Sequence, residues 1–323
     1  MTASPVQRPT ILLGTKLPAA LVEQLVKRYD VLGPLAPPFA QSVAALPIAD
    51  AARVQALVTM GTIVTSRAAI DALPALRLIS CFGSGYEGVD FAAVRERGIT
   101  VTHSPGANAA TVADLALGLL IASVRNMFGA SAYLHSGGWE KSGRRRRGGR
   151  GLTGRRMGIY GLGAIGEKIA LRARACEMEV AYHNRKPRPD VAYPYHGSLL
   201  ELATWADVLM ISVRADANNR HAVDAEVLNA LGSDGHVVNI ARGAVIDEQA
   251  LIAALRDGVI AGAGLDVFEH EPAVPAALRA IPGVVLTPHI GGDSLESHAA
   301  MSGMVLANIE AHFARRPVPN PVR

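Results

Sequence analysis

Two rhythms alternate along the chain. Short apolar runs at residues 11–14, 56–60, 78–82 and 99–102 have the length and the branched side chains of buried strands. Between them, residues 17–27, 66–73 and 91–97 read as helices. Strands alternating with helices predict a parallel sheet. Residues 109–128 then predict one long helix, apolar on every face, as expected of a helix buried between two bodies. A Gly/Arg stretch at 142–154 reads as a flexible break. A second strand–helix series starts at Arg156, with strands at 157–160, 180–182, 208–213, 237–240 and 261–267. Its helices fall at 164–175, 199–203, 224–231 and 247–256, and a strand at 284–286 precedes a last helix at 295–315. Each strand-to-helix unit takes about 25 to 30 residues, the length a parallel crossover needs.

Composition agrees with two folded domains: 323 residues, of which 50% are hydrophobic and only 19% charged, can bury a sizeable core. Cys81 and Cys176 lie far apart in no metal-like spacing, as reduced thiols of a cytoplasmic protein would. The N-terminus lacks the apolar run of a signal peptide. The apolar part of 112–124 is too short to span a bilayer, so no membrane partner is expected. The net charge of +4 conceals an asymmetry. Residues 141–156 hold eight basic side chains and no acid; without them the balance is 24 basic against 28 acidic. A nucleic-acid binder usually spreads its cations along a surface stripe, so no nucleic-acid partner is expected either.

Candidate chemistry begins at Gly161-Leu162-Gly163-Ala164-Ile165-Gly166, set between an apolar strand and a good helix. In that context two glycines permit a tight turn and close backbone approach, and Gly166 lets the helix pack on the strand. The helix N-terminus, with Ala164 and Ile165, offers amides to a pyrophosphate. A site for NAD usually has an acid about twenty residues further on, for the ribose 2′-hydroxyl. Here stands Asn184, followed by Arg185, Lys186 and Arg188. The lost repulsion and the gained cations predict that NADPH is preferred over NADH.

Three later stretches follow in order: NIARGAVID at 239–247, GLDVFEHEP at 264–272 and TPHIGG at 287–292. With CFGSGYEGVD at 81–90, the chain resembles the D-isomer-specific 2-hydroxyacid dehydrogenases over nearly its whole length, closest to the glyoxylate/hydroxypyruvate and hydroxyphenylpyruvate reductase branch. The resemblance implies a catalytic set of Arg242, Glu271 and His289. Arg242 would clamp a substrate carboxylate with its planar fork. His289 would protonate the carbonyl oxygen as hydride reaches the carbon, with Glu271 orienting the imidazole and favouring its charged form. It also implies that Ser84 and Gly85 bind the carboxylate through backbone amides. Thr111 would lie near the phosphates and Asp266 on the nicotinamide amide, with Ile240 and Gly291 completing the cofactor set.

The expected molecule is thus α/β: two doubly wound parallel-sheet (Rossmann-like) domains with an interdomain cleft. Residues 1–104 plus 291–323 would form the substrate-binding domain and 105–290 the dinucleotide-binding domain. A homodimer is implied, in which the segment around Trp139 crosses to the partner's substrate pocket and brings Arg144 to Arg147 to the subunit boundary. The small-molecule substrate would be a 2-oxo acid. The same fold also serves a nucleotide-sensing corepressor, but the intact Arg242, Glu271 and His289 favour catalysis. One stretch departs from the family pattern: RADANNRH at 214–221 stands where a Pro-containing loop is usual.

Overall fold

The computed structural model describes residues 8–143 and 150–322. The chain forms two compact units. One combines the chain up to Asn108 with the segment from Asp293 onward; the other runs Ala109–Gly292.

The first unit contains β1 (Thr10–Leu13), α1 (Ala19–Arg28), β2 (Asp30–Leu32), α2 (Phe39–Ala44), α3 (Ile48–Ala51), β3 (Val54–Met60), α4 (Arg67–Asp71), β4 (Leu78–Phe82), α5 (Phe91–Glu96) and β5 (Thr100–Thr102). Its strands are all parallel, in the order β2-β1-β3-β4-β5. β1 and β4 are buried along their whole length, which is why they read as continuous apolar runs. One face of the sheet packs Leu57, Ile70 and Ile79 together; the other packs Leu21, Leu25 and Val58.

The second unit contains α6 (Ala109–Val124), α7 (Met127–His135), α8 (Gly138–Ser142), β6 (Arg156–Tyr160), α9 (Ala164–Ala175), β7 (Glu179–His183), α10 (Leu199–Trp205), β8 (Val208–Ile211), α11 (Ala225–Leu231), β9 (His236–Asn239), α12 (Glu248–Arg256), β10 (Gly262–Leu265), α13 (Ala276–Arg279) and β11 (Val285–Leu286). Its parallel sheet has the order β11-β10-β9-β8-β6-β7, again with a core on each face. The last helix, α14 (Leu295–Phe313), returns to the first unit and packs on β4 and α1 through Met301, Val305 and Ile309.

Three local features differ from the sequence expectation. The long helix expected at 109–128 ends at Val124; Asn126 adopts a left-handed conformation at φ 45°, and α7 leaves at 62° to α6. Asn tolerates that region better than most residues, so it can serve as the corner. β2 is a three-residue edge strand, half-buried throughout, with too few positions to show a period. α2 and α3 are short and start after Pro38 and Pro47, where proline's fixed φ suits a first turn. Residues 144–149 of the predicted break, including Arg144 to Arg147, lie outside the described residues. Two other arginines of the basic stretch are structural. Arg155 is buried and donates to the Asp207 and Asp234 carbonyls, and Arg156 pairs with Asp207. Among the described residues no single helix is long and apolar enough to cross a membrane.

Candidate active site

In the second unit the strand order reverses direction between β6 and β8, and ligands of open α/β sheets bind beyond the strand ends at such a point. The glycine turn leaves β6 there. Its glycines have different reasons. Gly161 is at φ 102°, and a Cβ on it would come within 2.4 Å of the Val213 backbone. A Cβ on Gly166 would meet the Gly161 carbonyl at 2.4 Å. Both are required by the protein's own packing. Gly163 is not: its φ is −100°, and an added Cβ would meet nothing within 4 Å. The space there suits a group that approaches the backbone closely. Helices α4, α5, α10, α11, α12 and α14 carry side-chain N-caps from Ser66, Asp90, Ser198, Asp224, Asp247 and Ser294. α9 starts at Gly163 with none, which leaves its first amides for an anion. These observations fit a dinucleotide pyrophosphate.

The basic stretch after β7 divides in two. Asn184 accepts a 2.7 Å hydrogen bond from the Leu162 amide, so it braces the glycine turn as a carboxylate would, without the charge. Tyr195 donates to the Asn184 carbonyl at 3.1 Å. Arg188 is committed to structure: it pairs with Glu167 and Asp190 and donates to the Leu162 carbonyl at 3.1 Å. Its hydrogen bonds to Asp190 and Glu167 push its pKa further up. Arg185 and Lys186 are exposed, and Arg185 meets Asp216 at 3.6 Å.

The reactive side chains sit on loops that follow β9, β10 and β11. Asn239, fully buried at the end of β9, accepts from the Ala241 amide and donates to the Arg242 carbonyl, both at 3.0 Å, and so shapes the backbone that carries Arg242. Arg242 is half-buried, with Nη1 on the Ala241 carbonyl. Gly243 follows because a Cβ there would lie 1.9 Å from the Phe268 carbonyl carbon. Asp266 is buried, and its carboxylate accepts three hydrogen bonds: from Thr287 Oγ1 at 2.6 Å, the Ile290 amide at 2.8 Å and the Gly291 amide at 2.8 Å. These contacts clamp the backbone on both sides of His289. His289 itself is held at φ 53°, its amide on the Asp266 carbonyl. Its Nδ1 meets Glu271 Oε2 at 2.7 Å, while Glu271 Oε1 accepts from the Phe268 amide at 3.1 Å. Glu271 is therefore fixed at both oxygens, and the ring nitrogen left for a reactant is Nε2.

The loop before Glu271 is braced by residues outside the expected site set. Glu269 accepts from His221 Nε2 at 2.8 Å and Arg220 Nη2 at 2.5 Å, and its own amide donates to the buried Glu248 carboxylate at 3.4 Å. The His221 hydrogen bond, with help from Arg220, holds the Glu269 carboxyl below its usual range, whereas burial pushes Glu248 up.

Residues 117–291 match the NAD binding domain of the D-isomer specific 2-hydroxyacid dehydrogenases. Hydroxyphenylpyruvate reductase of Plectranthus scutellarioides is 36% identical over 312 residues, covering 97% of this chain and 98% of that one. The chain belongs to the D-isomer specific 2-hydroxyacid dehydrogenase family. Glyoxylate/hydroxypyruvate reductase A of Arabidopsis thaliana is 40% identical over 253 residues, 78% of this chain and 80% of its own. Among solved structures, an NADPH-dependent glyoxylate/hydroxypyruvate reductase from Sinorhizobium meliloti, crystallised with NADP and malonate, has a TM-score of 0.91 and 38% identity, covering 98% of this chain and 97% of that one. As a D-2-hydroxyacid dehydrogenase of the glyoxylate/hydroxypyruvate reductase-like branch, the protein is a nicotinamide-dependent oxidoreductase.

In this dehydrogenase the remaining expected residues stand as follows. Thr111 lies in the first turn of α6, and α6 packs against α9. Ile240 follows β9 directly and is buried. In the first unit Gly83, at φ 122°, turns the chain after β4, and the Gly83 carbonyl accepts from the Ser104 amide at 2.8 Å. The Ser84 carbonyl accepts from His103 Nδ1 at 3.0 Å. Gly85 backs onto Gly61, where a Cβ would come within 1.8 Å of the Gly85 carbonyl. Among the described residues the Ser84 and Gly85 amides have no hydrogen-bond partner. Trp139 lies on α8 and is 52% exposed.

Proposed function

We propose that the protein reduces a small 2-oxo acid, glyoxylate, hydroxypyruvate or an arylpyruvate, to the D-2-hydroxy acid, with NADPH as the preferred cofactor. The observation that carries the reading is the His289–Glu271 pair at 2.7 Å, with His289 two residues before the glycine that Asp266 holds. A bound nicotinamide supplies the hydride. Arg242 binds the substrate carboxylate with its planar fork, and the Ser84 and Gly85 amides are further donors to it. His289 delivers a proton from Nε2 to the carbonyl oxygen, and Glu271 fixes the ring so that Nε2 keeps its direction.

The cofactor site we assign to Gly161, Gly163, Ala164, Ile165 and Gly166 for the pyrophosphate, with Thr111 nearby. Ile240, Asp266 and Gly291 serve the nicotinamide side. Arg185 and Lys186 meet the 2′-phosphate, and Asn184 presents no opposing charge. Arg188, spent on Glu167 and Asp190, is left out of that set. We further assign a homodimer in which α7 and α8 form the contact and Trp139 reaches the partner's substrate. The support is the apolar exposure of this segment: Met127, Phe128, Leu134 and Trp139 are each more than half exposed.

The test is a panel of initial rates with glyoxylate, hydroxypyruvate and hydroxyphenylpyruvate, each with NADPH and with NADH. The expected result is turnover with at least one acid and a higher kcat/KM with NADPH. Equal efficiency with both cofactors overturns the cofactor assignment, and no turnover with any 2-oxo acid overturns the substrate class.

A further inference from the structure

The acid missing at position 184 has a counterpart elsewhere. Asp216, in the loop 214–221 that follows β8, places Oδ2 3.6 Å from the Arg185 guanidinium. The loop holds it there. The Asp216 amide donates to Asn219 Oδ1 at 2.8 Å, and Asp216 Oδ1 accepts from the Asn218 amide at 2.8 Å. Asn219 is itself buried and donates to the Arg214 carbonyl at 2.8 Å. One carboxylate oxygen is thus occupied by the loop, and the other faces the cation.

We propose that Asp216 is a specificity-determining residue that tempers the preference for NADPH, by neutralising Arg185 and opposing a 2′-phosphate bound to it. The inference rests on the assignment of Arg185 and Lys186 to that phosphate. With Arg188 held by its own acids, the stretch after β7 offers Arg185 and Lys186 to a dianion, and Asp216 offsets one of them. The Arg185–Asp216 contact is long, and Arg185 is 85% exposed, so it is weak enough for a phosphate to displace. Displacement does not remove Asp216: its backbone contacts keep the charge beside the phosphate, where like charges repel. An exposed pair of this kind changes affinity by up to roughly fivefold.

The test is fluorescence titration of NADPH and NADH into the full-length protein and three variants, Asp216→Asn, Arg185→Gln and the double variant. Asn keeps a carbonyl oxygen for the Asn218 amide, so the loop is retained. Asp216→Ser, whose hydroxyl can also accept from that amide, takes its place if the Asn variant unfolds. Asp216→Asn is expected to tighten NADPH by about twofold to fivefold at low salt, with NADH moved by a smaller factor. The gain should be smaller in the Arg185→Gln background, where only the direct repulsion is left to relieve, and shrink at about 1 M salt, where screening acts within roughly 3 Å. NADPH binding that is unchanged or weaker in Asp216→Asn, or NADH tightened equally, overturns the role of Asp216. The cofactor assignment is judged separately: if Arg185→Gln leaves NADPH affinity intact, that assignment falls, whatever Asp216→Asn does.

Discussion

His289 occupies a backbone conformation that a non-glycine residue rarely takes, φ 53°. Such strain costs about 1 to 3 kcal/mol and persists only where neighbours enforce it. Here Asp266 enforces it, with three hydrogen bonds to the segment 287–291. In Asp266→Asn one oxygen becomes an NH2 group, which cannot accept from the Gly291 amide. Leaving that buried donor unpaired costs roughly 1 to 3 kcal/mol. The expected outcome is a fall in kcat of tenfold or more with a modest loss of thermal stability; an unchanged kcat would release Asp266 from the positioning role. His289→Ala is expected to remove most turnover while NADPH still binds, checked by single-turnover rates beside a binding titration. At this scale Arg242, Glu271 and His289 were legible because each lies in a motif whose order and spacing are specific. The bracing roles of Asn239 and Glu269, although both lie in the same motifs, and of His221 were not, because their partners are backbone groups or side chains up to 49 residues away. Gly243 is explained only by the Phe268 backbone packed against it.

Helix α9 separates two uses of glycine that look alike in sequence. Gly163→Ala places a Cβ in open space at a φ that alanine adopts, so the unfolding midpoint should hardly move while cofactor affinity drops tenfold or more. Gly161→Ala sets a Cβ against the Val213 backbone at a left-handed φ and should lower stability by at least about 2 kcal/mol. Thermal melts and cofactor titrations of the two variants check this; equal behaviour would mean that Gly163 is not a site of ligand approach. Strand β9 carries a pH dependence. His236 is buried, its Nδ1 3.1 Å from Ser123 Oγ, and burial together with the Arg155 charge holds its pKa down at about 4, against 6.5 for a free imidazole. The unfolded chain therefore takes up a proton below about 6.5 that the folded chain refuses until about 4. The stabilisation is complete above that window and is lost as pH falls through it, by up to about 3 kcal/mol. Urea titrations at pH 7 and pH 4.5 should show the loss, and His236→Gln should make it smaller. Element boundaries were legible at β4, buried along its length, and near helix starts where a side chain caps the first turn, whereas β8 ends at Ile211, two residues short of the expected strand. The corner at Asn126 was hidden because the apolar pattern runs straight through it from Val124 to Met127 and Phe128.

At the scale of the whole molecule, both units repeat one topology, in which the second strand lies outside the first and the rest follow on the other side. Alternating strand and helix patterns, with crossovers of sufficient length, made the parallel sheets legible without any contact in view, but not the order of their strands. Assembly is a different matter, because a pattern of apolar residues does not say whether they are covered within the chain. α7 has no buried residue, although Met127, Phe128, Leu134 and the neighbouring Trp139 are large and apolar. In α6, an equally apolar sequence is buried against α9, β9 and β10. The contrast means that the apolar residues of α7 have no cover among the described residues, and a soluble monomer rarely leaves so large a cluster in water. The assigned homodimer would cover them. Sedimentation velocity is expected to show a dimer, and replacing Phe128 and Leu134 together with serine should shift it to monomer without unfolding either sheet, since neither residue contributes to a core cluster. Trp139→Ala in the intact dimer should raise KM for hydroxyphenylpyruvate more than for glyoxylate, because an indole against the substrate buries the larger side chain and has little to offer the smaller. A fully active monomer would show that the α7–α8 surface serves something other than a second copy, and an equal change in KM for both substrates would remove Trp139 from the substrate site.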